Sequence, residues 1–111
     1  MPSDDLGYLP KTDNDFRNWG FSNVASHRDI NRVIFQTLGI VVPEYPIYPM
    51  NLDNPVQWGW QHQAMHSASC QALGIASYNL VTINWDDARY MDAWNTLHFD
   101  EHNRLEAALG L

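Results

Sequence analysis

Apolar positions recur at helical spacing in three stretches of the chain, separated by two long segments that cannot be helical. In the first, Val24, His27, Ile30, Val33, Ile34 and Leu38 follow steps of three and four, with Arg28, Asp29, Asn31 and Arg32 on the other side. Ser22 or Asn23 offers an N-cap and Gly39 a stop, so the spacing predicts a helix over about 23–38. In the second, Asn54 caps a helix with Pro55 in its first turn, and the pattern continues through Leu73 to Gly74. Gly59 lies inside this helix, predicted over 55–73, at a propensity cost of ~1 kcal/mol. The third, predicted over 86–109, opens with Asp86 and Asp87, where the helix dipole favours acids. Its face is Met91, Trp94, His98, His102, Leu105 and Leu109, and it stops at Gly110.

Between and before these helices the pattern changes. Residues 1–20 contain Pro2, Gly7, Pro10 and Gly20 with no sustained period, and read as an extended N-terminal arm ahead of a single helical domain, 21–111. Leu6, Tyr8, Leu9, Phe16 and Trp19 are too apolar for a solvated tail, so the arm is expected to lie on its own domain or on a neighbour. Residues 39–54 carry prolines at 43, 46 and 49, a spacing that favours extended chain. This proline-rich strap is expected to cover the helices, with contact to a partner as a second use. The third connection, IASYNLVTINW, is rich in β-branched and aromatic residues, but one strand cannot form a sheet alone and it is read as a loop. The expected fold is all-α.

Composition narrows the function. Six Lys and Arg against thirteen Asp and Glu give a net charge of -7, which argues against autonomous nucleic-acid binding. No run approaches the apolar length of a membrane span, and the start lacks the pattern of a signal peptide. The lone Cys70 cannot form an internal disulfide and suits a reducing compartment. Only 17% of residues are charged, while Trp, Tyr and Phe are abundant; such a surface is expected to bury some aromatics against partners in a homo-oligomer or symmetric assembly.

The histidines are the chemistry-bearing residues. His62 and His66 lie four apart on the second helix, and His98 and His102 four apart on the third. Imidazoles at that spacing share a helix face, and if the two helices run antiparallel one register pairs His62 with His102 and His66 with His98. The four nitrogens would then suit a tetrahedral zinc ion, with Glu101 or Asp100 as outer hydrogen-bond acceptors and Cys70 as a substitute ligand. The plainer alternative is that each histidine is a half-buried ring hydrogen-bonded at the edge of a core. His98, Glu101 and His102 also spell H-x-x-E-H, the order of the inverted zinc metallopeptidases, but the chain matches those enzymes nowhere else and the match is read as accidental. Nucleophile elbows, phosphate loops and Glu-x-x-His pairs are absent, and the chain is not expected to be an enzyme.

Taken together, NWGF, ASHRDINR, YPMNLDNPVQWGW leading into HQAMHSA, then LGIASYNL, INWDD and the terminal WNTLHFDEHNRLEAALGL resemble small structural proteins of tailed bacteriophages. The similarity runs from about Trp19 to the C-terminus. It implies a virion component of head, neck or tail, made in the host cytoplasm and contacting other virion proteins through arm and strap, and assigns no catalytic residue. The two readings from the sequence are therefore a virion structural subunit and a small helical metal-binding protein.

Overall fold

The computed structural model describes residues 6–44 and 54–111, which form three helices and no strand. The helices are α1 (Asp13–Leu38), α2 (Pro55–Leu73) and α3 (Ala88–Leu109). The all-α expectation holds, and α2 has the predicted bounds. Most of the strap lies outside the described residues.

Helix α1 begins ten residues earlier than the periodicity suggests, so the second half of the expected extended arm is helical. The cause is a capping box: Thr12 Oγ1 accepts the Asp15 N–H at 3.1 Å, and Asp15 Oδ2 accepts the N–H groups of Lys11 and Thr12 at 3.2 and 3.3 Å. Asp13 and Asp15 then sit where the helix dipole favours them. From this start the buried face runs through Trp19, Asn23, Ser26, His27, Ile30, Asn31 and Ile34. The described part of the arm lies on its own domain, with Leu6 buried and Gly7 against the Phe99 ring.

All three helices point the same way. Trp19, Trp58 and Trp94 meet at one level, with ring centroids 5.9–6.2 Å apart. Further along each helix His27, His66 and His102 are neighbours, and beyond them Asn31 meets Ser69. Residue numbers rise together on every helix, so the antiparallel register expected for α2 and α3 is replaced by a parallel one that pairs His62 with His98 and His66 with His102. The connection after α2 makes this possible by running back beside it. Gln63 Oε1 accepts the Leu80 N–H at 2.6 Å, Gln63 Nε2 donates to Tyr78 O at 3.0 Å, and the Trp94 indole N–H donates to Leu80 O at 3.0 Å. Side chains of α2 and α3 thus satisfy backbone groups that a sheet would otherwise pair. Gly59 is required here, because a Cβ at that position would overlap the Val81 carbonyl oxygen.

Candidate metal centre

The parallel register brings five histidines into the middle of the bundle. His27 comes from α1, His62 and His66 from α2, His98 and His102 from α3, and one ligand nitrogen from each lies within 4.8 Å of the others. All five are buried, four of them with no exposed surface. The four expected from spacing are together, and His27 joins them. It escaped the sequence reading as a ligand because it stands alone on its helix, without an i,i+4 partner to mark it. A usable signal was present in the polar residues Asn23, Ser26 and Asn31 that share its otherwise apolar face.

The nitrogens converge on one another. His62 Nε2 lies 3.3 Å from His27 Nε2, 3.1 Å from His66 Nε2 and 3.1 Å from His98 Nε2. A neutral imidazole nitrogen offers either one N–H or one in-plane lone pair, so no choice of tautomers satisfies three such neighbours. Protonation fares worse. Burial, and then the neighbouring histidines, hold His27, His62, His98 and His102 well below the ordinary imidazole range, so they are neutral near pH 7. Nitrogens about 2.0–2.1 Å from a shared ion stand ~3.0–3.4 Å apart, the spacing found here. The donor set can therefore hold a metal ion.

An outer layer orients two of the rings. His66 Nδ1 faces Glu101 Oε1 at 3.2 Å, which leaves Nε2 for the centre. Glu101 also accepts the Cys70 thiol at 3.1 Å and the Tyr78 N–H at 2.8 Å. Burial opposes its charge, but His66 and these donors outweigh burial and keep the carboxyl below its usual range. On the other side, His102 Nδ1 lies 2.7 Å from Ser26 Oγ, whose hydroxyl donates to Glu106 Oε1 at 2.7 Å. His102 Nε2 is thereby left facing inward with no hydrogen-bond partner. Of the two acceptors expected from sequence, Glu101 takes the role. Asp100 instead accepts from the Tyr78 hydroxyl and pairs with Arg104 at the surface. Cys70 is one layer out, bonded to Glu101, and burial pushes its thiol up to about 12, so it is a protonated donor and not a substitute ligand.

Indole rings close the N-terminal side of the cluster. Trp58 stacks on His62 with centroids 4.4 Å apart, and Trp94 stacks on His98 at 4.8 Å. Glu101, the would-be base of the H-x-x-E-H match, is buried and bonds to His66 and Cys70. Comparison with family models, curated proteins and solved structures finds no match for the chain.

Proposed function

We propose that this chain is a metal-holding helical protein, in which one divalent transition-metal ion, bound by His27, His62, His66, His98 and His102, fixes the three helices to one another. The observation that carries the reading is the meeting of four Nε2 atoms at His62, which hydrogen bonding cannot satisfy and a shared cation can. The buried Glu101 supports it: its carboxylate faces His66 Nδ1 at 3.2 Å, the outer contact that orients a metal-bound imidazole and raises its basicity. A centre enclosed on all sides suits a structural role better than catalysis, which keeps a coordination position open.

The test is a native mass spectrum of the full chain purified without chelator, paired with thermal melts. The expected result is one ion per chain and a melting temperature that collapses when a strong chelator removes it. A metal-free chain whose melt ignores both chelator and added metal would sink the reading.

A second reading, compatible with the first, places the metal-locked body in a larger assembly. It rests on the resemblance to tailed-phage structural proteins and on large apolar side chains left at the surface: Phe35, Val41, Val56 and Trp60 are each more than half exposed. In this reading the chain is a virion subunit. Trp60→Ser or Phe35→Ser should leave the fold intact and block incorporation into particles. Normal incorporation of both variants would count against it.

A further inference from the structure

The five rings are not equivalent, and the pattern of their contacts describes a coordination polyhedron. His66 packs against all four of the others, with centroids 4.6 Å from His27, 4.3 Å from His62, 5.0 Å from His98 and 4.8 Å from His102. The remaining four form a closed circuit: His27 to His62 at 5.2 Å, His62 to His98 at 4.9 Å, His98 to His102 at 4.4 Å and His102 to His27 at 4.5 Å. Among the described residues, His27 makes no ring contact with His98, nor His62 with His102. One vertex touching four, and four vertices each touching two of their own kind, is the connectivity of a square pyramid. In a trigonal bipyramid only one pair would be separated, and in a tetrahedron none.

The distances agree. With bonds of ~2.1 Å, neighbouring nitrogens on a square pyramid stand ~3.0 Å apart and opposite ones ~4.2 Å, whereas all pairs of a four-ligand tetrahedron fall near ~3.4 Å. His62 Nε2 has three neighbours, on His27, His66 and His98, at 3.1–3.3 Å, the number and spacing of a basal nitrogen's neighbours. The surroundings hold this arrangement. Trp58 and Trp94 fix two basal rings by stacking, Ser26 fixes a third through its Nδ1, and Glu101 holds the apex.

Resting on the reading that the cluster holds an ion, we propose that the site is a copper(II) site. Its base is His27, His62, His98 and His102, and its apex is His66. Zinc imposes no preference for such a base and favours four ligands, whereas tetragonal nitrogen sets suit copper(II), which also heads the affinity order of the divalent first-row ions. The unpaired electron of copper(II) would lie in the basal plane and couple to the four basal nitrogens, leaving His66 nearly silent.

The experiment is electron paramagnetic resonance of the full chain, stripped with chelator and reloaded with one equivalent of Cu²⁺, alongside His27→Ala and His66→Ala. The expected wild-type spectrum is axial, with g parallel larger than g perpendicular and superhyperfine structure from the basal nitrogens. His27→Ala should lose one nitrogen from that structure and His66→Ala none. Stoichiometric copper with the reverse order of g values overturns the square pyramid while leaving the metal-holding reading standing, and this outcome is readable on the wild type even if a variant fails to fold. Loss of a nitrogen in His66→Ala overturns the assigned apex. A chain that takes up zinc but not copper overturns the copper(II) assignment, and one that takes up neither Cu²⁺ nor Zn²⁺ overturns the metal-holding reading itself.

Discussion

Gly59→Ala separates two effects of opposite sign. On helix propensity alone the change should stabilise α2 by ~1 kcal/mol, because the glycine lies inside a helix. The packing reverses this. The new Cβ would overlap Val81 O and stand 3.1 Å from Val81 C, and both are backbone atoms that cannot rotate away. The return segment must therefore lift from α2. Lifting it strains the Leu80 bond to Gln63 at 2.6 Å, the Gln63 bond to Tyr78 O at 3.0 Å and the Trp94 indole bond to Leu80 O at 3.0 Å. Two of these strained bonds at ~1 kcal/mol each, with a buried indole N–H left unpaired at ~1–3 kcal/mol, give a loss of ~3–5 kcal/mol. After the propensity gain the net is ~2–4 kcal/mol of destabilisation, a fall of roughly 10 °C or more in melting temperature for a domain near this size. Thermal and urea melts of the two proteins, recorded under the same metal conditions, measure it. A variant as stable as the parent, or more so, would refute the close packing of the return segment on α2.

Two further outcomes follow from the centre. Ser26→Ala cuts the link from His102 to Glu106 and should weaken metal affinity ~10–100-fold in competition with a chromophoric chelator; unchanged affinity would show that the link does not orient the ring. His27, His62, His98 and His102 have folded-state values below those of the unfolded chain, so the unfolded chain binds more protons as acid is added. Stability should be full above pH ~6.5 and lost below it, by up to ~1.4 kcal/mol per pH unit for each group, in melts recorded from pH 8 to 5; a flat profile would contradict buried, neutral imidazoles.

The helices and four of the five histidines were legible because both rest on local spacing. Gly74 and Gly110 adopt the left-handed conformation that ends α2 and α3, and Asn54 and Pro55 start α2 as their chemistry requires. Helix direction was not legible from the histidines, since two i,i+4 pairs can meet in either sense. The connections carried that information. Helix α2 has 19 residues and is ~28 Å long, which an extended chain recrosses in ~9 residues, whereas an antiparallel hairpin needs only a short loop. Both interhelical connections are long enough to return, and the one described does so. The start of α1 was missed for a related reason. The run from Lys11 to Asp15 reads as solvated chain until Thr12 and Asp15 are seen as a reciprocal cap, after which Phe16 and Trp19 fall into the helical phase.

The composition of the interior favours the proposal of a bound ion. Among the described residues, buried polar and charged side chains are as numerous as buried apolar ones, and they include five histidines and two glutamates. An interior of that kind gains little from the transfer of apolar surface, and every polar group in it must find a partner or cost a few kcal/mol. Ser26, Asn31, Ser69, Cys70 and Tyr78 satisfy part of the requirement through specific hydrogen bonds. The Nε2 atoms that converge on His62 remain. Replacing the cluster by apolar residues would be the cheaper way to hold three helices together. In the proposed reading a divalent ion meets that requirement by accepting the converging lone pairs. Its ligands would come from each helix, so the proposed ion would tie α1, α2 and α3 together at the level of the histidines.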